Sequence, residues 1–208
     1  MRNLAPYPLN QTTAGFTLLE VLVAIIILSF GVLGAVGLQA SSLQANREAR
    51  LQSTGLRLAE ELAEMMRSNH TIAIKTTAAD NPYIYSATST LTNPNCGLPT
   101  ASTASCGSAL AIAQRDMREW LFRALNELPG ARVVVCRDAT PYESSTGLPQ
   151  WTCSNTGDTF AIKIGWTRAN TLRGATGTDA TATGTTNSGA FDKALRPAVI
   201  LPLIPGSA

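Results

Sequence analysis

A run of twenty-six residues without a charged side chain, Val21 to Asn46, constrains this chain more than any other feature. The sequence is mainly apolar from Phe16 to Leu38, and a helix over those residues is roughly 35 Å long, enough to cross the hydrocarbon core of a bilayer. One carboxylate, Glu20, stands near its start. An ionisable group inside a membrane is costly and usually has a partner. We therefore expect a membrane-spanning helix whose carboxylate pairs with a cation.

The residues around this carboxylate form a specific motif, Gly15-Phe16-Thr17-Leu18-Leu19-Glu20. Motif and apolar helix together resemble the N-terminal segment of type IV prepilins, and the resemblance covers roughly the first quarter of the chain. In that family an inner-membrane peptidase cuts after the glycine and methylates the new amino terminus. The resemblance therefore implies cleavage after Gly15, methylation of Phe16 and an assembly role for Glu20.

The resemblance also implies a division of the chain into three regions. Residues 1–15 are a prepilin leader. Residues 16–45 are the transmembrane half of a long helix, which also enters the filament core. Residues 46–208 are a periplasmic globular head that includes the second half of the long helix.

Two interpretations of Glu20 are open. Its carboxylate can pair with the α-amine of a neighbouring subunit, which removes the cost of burial and fixes the axial register. Alternatively, it is an ordinary acidic residue that interacts favourably with the positive end of the helix dipole. The second interpretation explains neither the glycine before the motif nor the cleavage context, so the sequence favours the assembly role.

Three glycines, Gly31, Gly34 and Gly37, recur at every third position of the apolar run. Small residues allow close helix packing in membranes. Glycine also weakens a helix by about 1 kcal/mol relative to alanine, so this stretch is equally consistent with a helix that lengthens or melts inside a filament. Both interpretations stay open.

Two helices are predicted in the head. Apolar residues at heptad spacing continue the first helix to residues 68–71, while Arg57 and Glu61 lie on its other faces. A second helix is predicted from Leu110 to Leu128, with one apolar and one charged face, and Pro129-Gly130 ends it. The apolar stripe of the first helix consists of Leu51, Gly55, Leu58, Leu62 and Met65.

Three strands are predicted after the second helix, at 131–137, 159–167 and 198–204. The middle strand alternates, with Ile162 on the apolar face and Lys163 on the opposite face. Pro197 and Pro202 place the last strand at a sheet edge. The expected fold class is α+β: the type IV pilin fold, a long N-terminal helix packed on a small antiparallel sheet with one extra helix.

Four cysteines, Cys96, Cys106, Cys136 and Cys153, all lie in the part of the chain that would be exported. They contain no Cys-x-x-Cys pair and the chain has one histidine, His70, so disulfides are favoured over a zinc site. Three pairings are possible. We favour Cys96–Cys106 and Cys136–Cys153 because each closes a local loop, the second between two antiparallel strands.

Neither an enzyme nor a nucleic-acid-binding protein is indicated. Without the leader and Arg2, 15 Lys and Arg face 14 Asp and Glu, so no basic footprint is evident. The sequence has no nucleophile elbow, P-loop or dinucleotide fingerprint. His70 is expected at a helix end. We expect no catalytic residues, no cofactor and no metal.

The second helix and the strands around it resemble one subgroup more loosely, the PilV-type minor pilins or type IV pilus modification proteins. This resemblance implies a minor pilin of the fimbrium, with effects on twitching motility and adhesion. Its partners would be the prepilin peptidase, the major pilin, other minor pilins and the lipid of the inner membrane, which it crosses once.

Two alternatives remain at the level of sequence. A type II secretion pseudopilin shares the N-terminal motif. A secreted binding protein with an ordinary signal peptide would use Arg2 as its basic region and residues 21–33 as its apolar region, with cleavage near residues 35–40. Glu20 at the mouth of the apolar region argues against this last interpretation.

Overall fold

The computed structural model describes residues 15–97, 105–167 and 196–206. The predicted leader lies outside these ranges except for Gly15. The chain divides into two units, Met1–Ala45 and Asn46–Ala208. Its helices and strands are α1 (Leu18–Ser68), α2 (His70–Ala73), α3 (Ala109–Glu127), β1 (Arg132–Arg137), β2 (Phe160–Gly165) and β3 (Val199–Leu203).

In the first unit, α1 is helical from Leu18 onward, and the three regularly spaced glycines do not interrupt it. A Cβ atom at Gly31, Gly34 or Gly37 would meet no atom within 4 Å. The hydroxyl of Ser29 donates a hydrogen bond to the Ile25 carbonyl at 2.7 Å, so this polar side chain is satisfied within the helix. By length and composition, α1 contains a segment that could cross a membrane.

In the second unit, the rest of α1 packs against α3. Trp120 is fully buried and donates from Nε1 to the Leu58 carbonyl at 2.8 Å. Arg57 lies 2.5 Å from Glu127, and Arg123 pairs with Glu61, so the two helices run antiparallel. Arg57 and Glu61 lie away from the core as predicted, and both bind α3.

The apolar stripe of α1 is largely as predicted. Gly55, Leu58 and Leu62 are buried, but Met66 is fully buried where the heptad pattern placed Met65. A helix has 3.6 residues per turn, so a stripe read with a 3.5-residue period drifts by one position. Gly55 lies against Trp166: a Cβ there would stand 2.7 Å from the indole Cζ3.

The three strands form one antiparallel sheet in the order β1-β2-β3. Alternate residues of β1 and β2 face the helices, including Val135 and Ile162, and β3 is an edge strand as the prolines predicted. Predicted and observed strand ends differ by two residues at most. The structure thus has the long apolar helix, the extra helix and the small antiparallel sheet of the predicted α+β fold.

The long connection between α2 and α3 is fixed to the core by tyrosines. Tyr83 is fully buried, and its burial, with the charge of Asp116, raises the pKa of its hydroxyl to about 12. Tyr85 exchanges two backbone hydrogen bonds with Val135, at 2.9 and 2.8 Å, on the free side of β1. The buried Asn81 amide donates to two carbonyls of the α2 region.

The connection between β1 and β2 covers the sheet face that points away from the helices. Trp151, in this connection, packs with Val134 and Cys136 in a second apolar cluster. The Arg132 guanidinium lies 4.3 Å from the centre of the Trp151 ring. β1 and β2 are therefore covered on both faces, which explains why every residue of β2 is buried.

Candidate functional site

The predicted site residues Gly15, Phe16 and Glu20 lie at the start of α1. Residues 15–17 are not helical, and the helix begins at Leu18. Thr17 caps it: its Oγ1 accepts a hydrogen bond from the Glu20 N–H at 3.2 Å, and its carbonyl accepts from the Val21 N–H at 3.2 Å. Glu20 is thus the third residue of the helix, in a Thr-x-x-Glu capping pattern that the sequence contains but that was not predicted from it.

The position of Glu20 lets its carboxylate interact with the helix dipole but provides no hydrogen-bond or ion-pair partner among the described residues. A negative charge in the first turn interacts favourably with the helix dipole, typically by 0.3–1 kcal/mol. Glu20 is exposed, and its carboxylate has no hydrogen-bond or ion-pair partner among the described residues. Four acceptor sites therefore remain available to a cation from outside the described chain.

Among the described residues, nothing requires a glycine at position 15. A Cβ atom built there would meet none of their atoms within 4 Å. Phe16, the residue expected to become the new N-terminus, is 82% exposed. The Gly15–Phe16 peptide bond and the Phe16 ring are both accessible. A requirement for glycine at position 15 would therefore come from another molecule that approaches the backbone closely.

The apolar side chains of the first unit are also exposed. From Phe16 to Leu43 the large apolar side chains point outward on all sides of α1, and none is buried. A helix that is hydrophobic all round is stable only inside a membrane or a larger apolar assembly. The first unit therefore combines an accessible peptide bond, an unpaired carboxylate and an uncovered apolar helix.

Residues 11–36 match the family model described as the prokaryotic N-terminal methylation motif. The chain carries a type IV pilin-like prepilin signal. No curated protein and no solved structure matches the chain. The matched motif contains Gly15, Phe16 and Glu20 and extends into the apolar part of α1. In this pilin-like protein, motif and helix fit membrane anchoring and incorporation into a pilus.

The four cysteines lie in the second unit and form two disulfides, Cys96–Cys106 and Cys136–Cys153, the pairing favoured from the sequence. One detail was wrong. Cys136 is on β1, but Cys153 lies in the connection before β2, so the bond ties this connection to the sheet and does not cross-link two strands. Two carbonyls of this connection, those of Gln150 and Thr152, accept hydrogen bonds from the Lys163 side chain of β2.

Lys163 forms a buried polar centre that was missed at the sequence level. Its Nζ donates to the carbonyls of Gln150 and Thr152, each at 2.8 Å, and lies 2.6 Å from Asp138 Oδ2. Both charged side chains are completely buried. The sequence signal for this centre was a lysine in the middle of an apolar strand, in a chain with few lysines. The alternation of the strand, however, placed Lys163 on the face opposite the core.

Asp138 is held in its charged form by this arrangement. Burial alone would raise its pKa, but hydrogen bonding to Lys163 and to the backbone N–H groups of Thr140 and Ser154 outweighs burial and lowers the pKa below its usual value. Asp138 also lies near Cys136 and Cys153. Both sulfurs are in the disulfide and the carboxylate is paired, so this cluster is a structural centre.

Proposed function

We propose that this pilin-like protein is a minor pilin of a type IV pilus, of the PilV type, which helps to initiate or modify the pilus. The observation that carries the proposal is the exposed N-terminal segment, in which Gly15 and Phe16 are accessible and the Glu20 carboxylate is unpaired. A prepilin peptidase would remove residues 1–15 and methylate Phe16.

After cleavage, each subunit has a new amine at Phe16 and a carboxylate four residues later. Both charges would stand at the apolar end of a helix, where neither is well solvated. Docking beside another pilin brings the amine of one subunit to the Glu20 carboxylate of its neighbour. We propose this pairing as the assembly contact, in addition to the local interaction of Glu20 with the helix dipole.

The proposed location is the inner membrane before assembly, with residues 16–45 crossing the bilayer once and residues 46–208 in the periplasm, and the fimbrium afterwards. The two disulfides support an oxidising location for the head. The proposal of a minor rather than a major subunit rests on the looser resemblance of α3 and the strands around it to the PilV-type minor pilins.

Mass spectrometry of the mature N-terminus tests the proposal. We expect a mature chain that begins with N-methyl-Phe16. A chain that begins near Leu38 or Ser41 would instead identify a secreted protein with an ordinary signal peptide and overturn the proposal. A deletion strain then separates a pilin from a pseudopilin: loss of surface pili and twitching supports a pilin, whereas loss of protein secretion with normal pili supports a pseudopilin.

A further inference from the structure

An apolar groove lies on the side of α3 that faces away from α1. Phe122 is 70% exposed and Leu125 is 49% exposed, and they stand on the same face of α3. With Tyr85, Leu91 and Pro94 of the preceding connection they line a groove of about 500 Å³. An aromatic side chain this exposed beside a formed apolar groove is typical of a contact surface.

One positive charge beside this groove has no counter-charge among the described residues. Arg118 lies one helical turn before Phe122 and is exposed. Two neighbouring arginines of α3 are paired, Arg115 with Asp116 and Arg123 with Glu61. Arg118 has no ion-pair partner in the part of the chain that the structure describes. Glu119 also lines the groove, so the groove fits an apolar side chain whose accompanying carboxylate lies at the Arg118 end.

The outer face of α1 in the same unit carries that combination. Leu56 is 44% exposed, and Glu60 is exposed one helical turn later. The nearby charged residues Arg57, Glu61 and Glu64 all have ion-pair partners. Glu60 has none among the described residues, so α1 presents an exposed leucine and a free carboxylate four residues apart.

The order of these residues selects one relative direction of the two helices. Along α1 the leucine comes before the acid, and along α3 the base comes before the aromatic residue. Antiparallel docking places Leu56 at Phe122 and Glu60 at Arg118 together. Parallel docking would instead oppose Leu56 to Arg118 and leave the carboxylate against the aromatic ring.

Antiparallel docking also agrees with the direction that a shared membrane imposes. Within one head, α1 and α3 are antiparallel. If α1 of a second copy lies antiparallel to α3 of the first, then the α1 helices of the two copies run in the same direction. Subunits anchored in one membrane with the same orientation must have this relationship, so this step rests on the proposed function.

We propose that α3 of one copy binds α1 of a second copy through this contact, with Leu56 in the Phe122–Leu125 groove and Glu60 paired with Arg118. The two patches are different, so the contact is heterologous and can repeat along a row of subunits. It places copies of this protein side by side, in addition to any contact at the N-termini.

A photo-crosslinking amino acid at position 122 of the full chain, expressed in its own cell membranes, tests the contact. We expect an adduct of two copies, with the crosslink on the tryptic peptide Leu51–Arg57 or on the next peptide, 58–67. The same amino acid at Tyr142, which is also exposed, serves as the control and should give no adduct with these peptides. Absence of a two-copy adduct, an adduct only with another protein, or a crosslink outside these peptides would overturn the contact.

Charge reversal tests the register. Arg118→Glu and Glu60→Arg should each reduce the two-copy adduct by about two- to fivefold, the range of an exposed ion pair. The double variant should restore it, whereas a Lys75→Glu control should leave it unchanged. No restoration would overturn the Glu60–Arg118 pairing. Measuring N-methyl-Phe16 in the same samples separates the two proposals, since normal processing without the adduct refutes this contact alone.

Discussion

The first unit and the head differ in whether their charged and large apolar side chains find partners within the chain. In the head, even a lysine in the centre of the sheet is fully satisfied, since Lys163 has two carbonyls and a carboxylate around it. In the first unit, the Glu20 carboxylate is exposed and every large apolar side chain from Phe16 to Leu43 is uncovered. The buried ion pair of the head is therefore satisfied within the head, whereas the first unit needs a membrane, an enzyme or other subunits to complete it.

The difference separates residues that act in folding from residues that act in assembly. Gly55 is required by its neighbour Trp166, because a side chain there would collide with the indole. A side chain at Gly15 would meet no atom of the described residues within 4 Å. Substitution of Gly55 should therefore affect folding, and substitution of Gly15 should affect only a step that involves another molecule.

The largest effect is expected for a bulky residue at position 15. Gly15→Trp should leave the full-length precursor in the membrane, because the peptidase must approach the backbone closely. The thermal unfolding of the head should be unchanged, since a Cβ at position 15 would meet no atom of the described residues within 4 Å. Immunoblots of membrane fractions measure the precursor, with Gly31→Ala as a control at another open glycine. Processing at the normal rate would contradict the cleavage assignment.

The second largest effect is expected for the buried ion pair of the head, Lys163 with Asp138. Lys163→Met leaves the buried Asp138 without its cation and with only backbone N–H donors, and we expect a loss of about 3–5 kcal/mol in the free energy of unfolding. All three tryptophans are in the head, so their fluorescence in detergent-solubilised protein reports this unfolding. The double variant Lys163→Met with Asp138→Leu should recover part of the loss. Equal stability of wild type and Lys163→Met would refute the central role of this pair.

A somewhat smaller effect is expected for the disulfide next to it. Replacing Cys136 and Cys153 by alanine should reduce the stability of the head by about 2–4 kcal/mol, because the unfolded chain is no longer constrained. Cleavage after Gly15 and membrane anchoring should persist. Loss of anchoring in this variant would mean that the two units are not independent in the sense described above.

The smallest effect is the pH dependence that Asp138 contributes. Its pKa in the folded head lies below its ordinary value, so its interactions stabilise the head above about pH 4 and are lost as the pH falls through the folded-state pKa. Acid titration of the unfolding free energy should show this decline. In the Lys163→Met, Asp138→Leu variant the decline should be shallower. An identical titration in both proteins would exclude Asp138 as a source.

Much of the fold could be predicted from the spacing of apolar residues and from the Pro and Gly residues that end helices and strands. The end of α1, the extent of α3 and the edge position of β3 were predicted from apolar spacing, Pro129-Gly130 and Pro202. Apart from the two disulfides, contacts between distant segments were not predicted. The binding of Arg57 and Glu61 to α3 and the burial of Lys163 depend on which elements meet, and no local pattern encodes that.

The candidate site was recognised from a local motif, so its residues could be identified from sequence. The structure adds the Thr17 cap, which gives Glu20 a place in the first helical turn. Cleavage, methylation and pairing of the carboxylate involve other molecules and stay predictions.

The most direct test of the central claim is the fate of Glu20→Ala. Removing the carboxylate makes insertion of the helix easier, and Gly15 remains accessible, so the protein should be processed and accumulate in the inner membrane. It should be depleted from sheared pili, because nothing then compensates the Phe16 amine. Thr17→Ala removes only the cap and serves as the matched control, with incorporation close to wild type. Recovery of Glu20→Ala in pilus fractions at the wild-type level would contradict the claim that the first unit is completed by a neighbouring subunit through this residue.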